Sequence, residues 1–297
     1  MTPRTTFVLI LATAAAVACG QRTDVSSGPA AISVSVLPQR EFVQRIAGDL
    51  ARVEVLVLPG HSPATFEPTP RQMTRLAEAD LWIRIGVPFE GSVLRNLGVV
   101  APNLRIIDGT QGVELVTMDG SPIPSGSSPG AGHDHLIDPH FWLDPLLVKL
   151  HARTVAAALC SLMPSNCDQF QANLAGFHSD LEAVHERISR VLRPVAGRDL
   201  FVFHPAYGYL GRRYGLRQVA VESGGRQPTA RRLAELTEAA HASGARALFV
   251  QPQFAGSGAR AVADAIGVEL VDLDPLAPDY LANLEAMAAR IADAYGE

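Results

Sequence analysis

Three side chains able to bind a metal ion follow three apolar segments of the chain that are rich in β-branched residues. His204 and Asp274 each stand directly after such a segment, and His61 comes shortly after a third. Because the carboxyl ends of parallel strands meet at the edge where open α/β sheets bind ligands, we expect these residues to lie at ligand-binding edges. Imidazole and carboxylate groups together suit Zn²⁺ and related divalent cations. The pattern therefore predicts a divalent metal site.

A fourth candidate ligand, His140, lies in the segment Asp138-Pro-His-Phe-Trp-Leu-Asp-Pro145, just ahead of a predicted helix. A separate Ser/Pro/Gly-rich loop at 121–132 runs into His133 and His135, which are separated by an aspartate. This pair is either a weak additional metal-binding loop or a solvated loop without a role. The candidate ligands are therefore His61, His140, His204 and Asp274, and the alternative for each taken alone is a helix cap, a turn or a buried hydrogen bond.

Strand-like and helix-like segments alternate in two stretches of the chain, on either side of residues 168–192. Alternation at this spacing is typical of parallel sheets covered by helices. We therefore expect an α/β fold with two Rossmann-like lobes, each with a mainly parallel four-stranded sheet. The predicted strands are 32–37, 53–58, 81–85 and 104–107 in the first lobe, and 200–203, 216–221, 247–250 and 268–273 in the second.

Between the two stretches, apolar residues recur at alternating spacings of four and three, which places one apolar stripe on a long helix. About 25 residues at ~1.5 Å each give a rod of roughly 36 Å. We expect this helix to be a rigid link between the lobes, so that metal binding causes only small lobe motion. The stripe consists of Phe170, Leu174, Phe177, Leu181, Val184, Ile188 and Val191.

The first residues have the features of a secretory signal. An apolar run at 7–17 follows Arg4 and is too short to span a bilayer. It ends in Ala16-Val17-Ala18-Cys19, which resembles a bacterial lipobox, so we expect Cys19 to become the acylated first residue. The alternative is an ordinary secretory signal with a chance cysteine. The expected division is a signal peptide at 1–18, a lipidated tether at 19–30, a first lobe at 31–165, a linking helix at 166–194 and a second lobe at 195–297.

Either form of the signal places the mature chain in an oxidising compartment, where disulfides persist. Cys160 and Cys167 remain in the mature chain and are seven residues apart. We expect them to form a disulfide, with two free core thiols as the alternative.

Composition and motifs exclude several classes of function. The net charge of −5 comes without the basic block that nucleic-acid binding needs. The sequence has no His-Glu-x-x-His helix, no Gly-x-Ser-x-Gly elbow and no phosphate-binding glycine loop. A secreted metallohydrolase would also need an open coordination position and a nearby general base. We therefore expect no enzymatic activity and no nucleic-acid partner.

Three motifs together resemble the metal-binding receptors of ABC importers for zinc or manganese (cluster A-I type), and the zinc-uptake receptors in particular. They are Asp138-Pro-His-Phe-Trp-Leu-Asp-Pro145, Phe203-His-Pro-Ala-Tyr-Gly-Tyr209 and Phe66-Glu-Pro-Thr-Pro70, and the resemblance covers 32–297. It implies two α/β lobes joined by a long helix, with Zn²⁺ carried between them. It also implies a permease and an ATPase as partners. We expect a monomer anchored to a bacterial membrane through the lipid on Cys19.

The resemblance carries ligand roles over to three positions. His140 and His204 match the family's second and third ligands, and Asp274 matches its fourth. Histidine at 204 is more similar to zinc receptors than to manganese receptors, which often have glutamate there. A receptor for Mn²⁺ or Fe²⁺ and a surface adhesin with the same fold are the alternatives.

The sequence departs from the family at the first ligand, because Ala64 stands where a histidine usually does. His61, in the same loop, is our predicted replacement. The alternatives are a site completed by water and a site that recruits Glu67 or Glu90.

Overall fold

The computed structural model describes residues 28–118, 137–222 and 228–296, and the first of these ranges contains a four-stranded sheet. All neighbouring strands in it are parallel, in the order β2-β1-β3-β4. Helices between the strands cover the sheet, as the alternation predicts. The elements are β1 (Ala30–Val34), α1 (Leu37–Ala47), β2 (Ala51–Val55), α2 (Pro70–Ala77), β3 (Leu81–Arg84), α3 (Phe89–Val100) and β4 (Arg105–Asp108).

The second lobe repeats this arrangement with a sheet of its own. Its four strands are also parallel, and their order β6-β5-β7-β8 is the same as in the first sheet. The predicted α/β fold with two four-stranded parallel sheets is therefore confirmed. The elements are β5 (Asp199–Val202), α6 (Gly208–Tyr214), β6 (Arg217–Ala220), α7 (Ala230–Ser243), β7 (Ala247–Val250), α8 (Ser257–Ile266), β8 (Glu269–Asp272) and α9 (Tyr280–Ala294).

One unbroken helix, α5 (Cys167–Leu192), joins the lobes and packs against α1, α9 and the preceding α4 (Pro145–Leu162). Its buried face follows the predicted stripe as far as Ile188. At the next step the buried residue is Leu192, while Val191 is 39% exposed. A repeat of 3.5 residues drifts by about 20° per heptad on a straight helix, so the buried position moves on by one residue.

Cys160 near the end of α4 and Cys167 at the start of α5 form a disulfide, which confirms the predicted pair. The crosslink spans the short turn at Pro164–Asn166. It therefore ties the linking helix to the first lobe at the point where the chain changes direction.

Within the described ranges, α4 is the one helix long and apolar enough to cross a membrane by length and composition. Its apolar face is instead buried inside the protein, against α1 and α5. Helix α4 is therefore a core helix of the protein. The predicted signal at 1–18, Cys19, most of the tether and the loop histidines His133 and His135 lie outside the described residues.

The lobes are held together by direct contacts as well as by α5. The backbone N–H of Tyr280, at the start of α9, donates to the Glu41 carboxylate on α1 at 2.5 Å. The Tyr280 hydroxyl donates to the Trp142 carbonyl at 2.6 Å, and the Trp142 indole N–H donates to the Pro275 carbonyl at 2.9 Å. One continuous core of buried apolar residues runs through both lobes. These buried contacts oppose independent movement of the two sheets.

Candidate metal centre

The structure brings two of the predicted ligands together from opposite lobes. The imidazole rings of His140 and His204 have centroids 5.6 Å apart. Their side chains are only 10% and 13% exposed, so both rings lie in a nearly enclosed space. Two imidazoles at this separation can bind the same cation with small adjustments of their side chains.

His140 is fixed by the residue two positions before it. The Oδ1 atom of Asp138 accepts from the His140 backbone N–H at 2.9 Å and lies 2.7 Å from Nδ1 of the ring. A carboxylate accepts hydrogen bonds, so in the neutral form of the ring this contact favours the tautomer with the proton on Nδ1 and the lone pair on Nε2. The Trp142 ring packs against the imidazole at 5.1 Å between centroids.

His204 has the same kind of surroundings, supplied by other elements. Its Nδ1 lies 2.5 Å from Oε1 of Glu222, a buried residue that follows β6. The Glu222 backbone N–H donates to the Phe203 carbonyl at 3.0 Å, which fixes the register of the two loops. Phe254 stacks on the imidazole with a centroid distance of 5.1 Å and an interplanar angle of 27°. Nε2 is again the nitrogen left for a metal.

Asp274 follows β8 at the edge of the second sheet where His204 follows β5. Burial raises the pKa of its carboxyl, and the hydrogen bond from the Leu276 N–H to Oδ1, at 2.9 Å, opposes this shift. The Tyr207 hydroxyl donates to the carbonyl of Leu273, at 2.5 Å, and so ties this loop to the one that holds His204.

His61 lies in the loop between β2 and α2, where its side chain is exposed. Its Nδ1 is 3.4 Å from the Pro59 carbonyl, and its ring contacts Phe66 at 6.3 Å between centroids. His61, Phe66 and Glu67 line a shallow cleft of about 210 Å³. The His61 side chain therefore contacts residues of its own loop.

Glu90, an alternative ligand, is buried in the first lobe. Its Oε1 accepts from the Ser35 hydroxyl at 2.5 Å and from the Ile85 N–H at 2.9 Å, and its Oε2 accepts from the Gly86 N–H at 2.8 Å. Burial raises the pKa of this carboxyl to about 7, against the opposing effect of those hydrogen bonds. Glu90 therefore holds the ends of β1 and β3 together.

Among the described residues, no group of three or more His, Cys, Asp and Glu side chains converges closely enough to hold a metal ion. The structure thus pairs His140 with His204 and does not gather all four predicted ligands. It also reveals two site residues that the sequence analysis missed, Asp138 and Glu222. Their signal was present, because one precedes a candidate ligand by two positions and the other directly follows a predicted strand.

The chain is similar in sequence to known zinc-uptake and zinc-binding proteins. The family model for the periplasmic zinc-uptake complex component A matches residues 32–294. The high-affinity zinc uptake system protein ZnuA of Yersinia pestis is 31% identical over 265 residues, which cover 83% of each chain. The zinc-binding lipoprotein AdcA of Streptococcus pneumoniae is 28% identical over 88% of this chain, which spans only 52% of that longer protein.

Among solved structures, a crystal structure of ZnuA superposes with a TM-score of 0.80 at 38% sequence identity. The match covers 90% of this chain and 99% of that one, so both lobes and the linking helix are included. The chain therefore belongs to the family of the periplasmic zinc-uptake complex component A.

Proposed function

We propose that this chain is an extracytoplasmic receptor that captures Zn²⁺ and delivers it to the permease of an ABC importer. The observation that carries the proposal is the pair His140 and His204, one from each lobe, with ring centroids 5.6 Å apart. Nδ1 of each ring faces a carboxylate, so both rings have Nε2 left for a cation. Family membership and the zinc-related names of the relatives support the same function.

The donor set favours zinc over manganese. Imidazole nitrogens suit Zn²⁺, whereas Mn²⁺ is better served by sites richer in carboxylate and other oxygen ligands. The carboxylates nearest the two rings, Asp138 and Glu222, are engaged with imidazole nitrogens. Those contacts leave neither of them placed as a general base for a metal-bound water, which favours a receptor over an enzyme.

Metal titration of the purified mature protein tests this function. We expect one tightly bound Zn²⁺ per chain, with a dissociation constant that is roughly nanomolar or lower, and weaker binding of Mn²⁺. Competition with a chelator of known zinc affinity measures the constant, and elemental analysis of protein from its native compartment identifies the metal. Preferential loading with Mn²⁺ or Fe²⁺ would favour the alternative receptor.

The full ligand set that we propose is His61, His140, His204 and Asp274. Asp274 stands at the same sheet edge as His204, and its loop is fastened to the His204 loop by the Tyr207 hydroxyl. His61 is exposed, so its loop must rearrange to bring the ring to the metal. A loop can move without separating the buried lobe contacts, which fits a rigid linking helix.

His61→Ala is expected to weaken Zn²⁺ binding by about ten- to hundredfold. The loss is smaller than for a ligand already in the site, because ordering the exposed His61 loop offsets part of what this ligand contributes. Glu67→Ala, in the same loop and equally accessible, is the matched control and should bind like the wild type. Adding Ala64→His to His61→Ala should restore affinity, since it returns an imidazole to the loop. Wild-type affinity in His61→Ala together with weakened Zn²⁺ binding in Glu67→Ala, measured in one competitive titration, would show that Glu67 is the ligand.

We also propose that residues 1–18 are removed, that Cys19 carries lipid, and that 19–30 tether a monomeric two-lobed receptor to a bacterial membrane. The lobes would be 31–165 and 195–297, with the linking helix at 166–194. The support is the lipobox-like Ala16-Val17-Ala18-Cys19 ahead of a polar segment.

Cys19→Ser is expected to move the protein from the membrane fraction to the soluble fraction, because acylation then lacks its thiol. Fractionation with immunodetection measures the distribution. Cys160→Ser is the control, since that cysteine belongs to the disulfide and not to the anchor. Unchanged partitioning of Cys19→Ser would remove the lipid anchor from the proposal.

A further inference from the structure

The two imidazoles at the centre are oriented by two side chains that are not in the proposed ligand set. Asp138 is fully buried and Glu222 is 7% exposed, which is unusual for carboxylates. Each lies within hydrogen-bonding distance of Nδ1, at 2.7 Å for His140 and 2.5 Å for His204. Burial of a carboxylate is costly unless it is well paired, so these contacts are specific features of the site.

Different backbone hydrogen bonds hold the two carboxylate residues in place. Asp138 is fixed by its backbone N–H, which donates to the Val116 carbonyl at 2.8 Å, and by its carbonyl, which accepts from the Tyr209 hydroxyl at 3.2 Å. Glu222 is fixed by its bond to the Phe203 carbonyl. A carboxylate thus contacts Nδ1 of both rings, and the two carboxylates stand on different segments of the backbone.

Gly208 provides the space that Asp138 needs. A Cβ atom at position 208 would lie 2.8 Å from Oδ2 of Asp138, closer than such atoms pack. Oδ2 itself is buried without a hydrogen-bond partner, so the carboxylate is held in place through Oδ1 and through this close fit. Any larger residue at 208 must displace Asp138 and, with it, the His140 ring.

Aromatic rings restrict the rotation of each imidazole about its side-chain bonds. Trp142 packs on His140 and Phe254 stacks on His204, both at 5.1 Å between centroids. A carboxylate at Nδ1 favours one tautomer. The Phe254 ring stacked on His204 and the Trp142 ring tilted by 59° against His140 oppose rotation about the side-chain bonds. Each imidazole is therefore held in one orientation by a carboxylate and an aromatic ring.

We infer that Asp138 and Glu222 are positioning residues that hold His140 and His204 in the Nδ1–H tautomer, so that both Nε2 atoms face one cation. This inference rests on the proposed function for its purpose. Such outer carboxylates also raise the basicity of the ligand nitrogen, and their loss typically costs ~10- to 100-fold in metal affinity.

Long-range ¹H–¹⁵N NMR of the metal-free protein labelled at histidine tests the inference, with His204→Ala and His140→Ala spectra to assign the two rings. We expect Nδ1–H for both rings in the wild type. In Glu222→Ala, His204 alone should shift towards the Nε2–H form, and Zn²⁺ affinity should fall by ~10- to 100-fold. Glu222→Gln should keep the wild-type tautomer and recover most of the affinity, because its amide oxygen can accept the same proton.

Gly208→Ala tests Asp138 without removing a carboxylate. The His140 resonances should change, those of His204 should not, and Zn²⁺ affinity should fall by ~10-fold or more. Gly176→Ala is the control, because a Cβ atom there meets open space on α5.

Two results would overturn the inference, namely an Nε2–H tautomer for His204 in the wild type and an unchanged His204 tautomer in Glu222→Ala. Both are measured without metal. Failure of the wild-type protein to bind Zn²⁺ is a different result, which overturns the proposed function and leaves the tautomer measurement to decide the positioning role.

Discussion

Alanine in place of His204 is expected to weaken Zn²⁺ binding by about a hundredfold to a thousandfold. A closed zinc site contributes roughly 10–16 kcal/mol, so one of four ligands carries roughly 3 kcal/mol. His204 also faces His140 from the opposite lobe, with ring centroids 5.6 Å apart. Among the described residues, His204 is the histidine whose ring lies against that of His140, so its loss leaves His140 without a second imidazole.

The measurement is a competitive Zn²⁺ titration of His204→Ala beside the wild type. His241→Ala, which removes an exposed histidine from α7, is the matched control and should leave affinity unchanged. The fold should persist, although the buried Glu222 carboxylate loses its partner at a cost of about 1–3 kcal/mol. A circular dichroism melt measures that cost separately. Wild-type affinity in His204→Ala would mean that the site lies elsewhere.

The sheets were predictable because their segments are short, apolar and regularly separated by helical patterns. The ends of the strands were less predictable, as the second strand shows. The sequence predicts 53–58, whereas β2 is Ala51–Val55. Beyond it the backbone N–H groups of Leu56 and Val57 still donate to the carbonyls of Val34 and Ser35, so hydrogen bonding to the first strand continues past the end of β2.

The short helix α6 was not predicted, and its composition explains why. It has seven residues, and Gly208 and Gly211 are poor helix formers. Its glycines are required by neighbours instead, since a Cβ atom at 211 would lie 2.8 Å from the Leu216 carbonyl oxygen. Tertiary packing decided this helix, and local propensity could not reveal it.

The candidate site was predictable to the extent that it depends on strand ends. The positions of His204 and Asp274 at one edge of the second sheet could be predicted because each comes just after a strand, and their roles as metal ligands stay predictions. Asp138 and Glu222 acquire their roles from distances to the imidazoles, which a linear sequence does not contain. His61 stays a prediction, because the course of a loop without periodicity is set by its ligand and its neighbours.

Phe177→Ala is expected to lower the free energy of unfolding by about 3–5 kcal/mol, the usual cost of truncating a buried phenylalanine. Phe177 lies in the middle of α5 and is 1% exposed. Its ring contacts Phe42 of α1 at 5.9 Å between centroids, and the Arg45 guanidinium lies 5.2 Å from its centroid. The loss would open a cavity where the linking helix meets the first lobe.

Urea unfolding of the metal-free protein measures this change, with metal removed because Zn²⁺ bound to the native state would add stability of its own. Val191→Ala is the matched control on the same helix, since Val191 is 39% exposed and should cost no more than about 0.5 kcal/mol. The contrast separates burial from helix propensity, because both variants place alanine in α5. Equal losses at the two positions would mean that α5 is not anchored through its observed buried face, which includes Phe177 and leaves out Val191. A large loss at Phe177 alone would show that the link between the lobes is a packed part of the core and not a hinge.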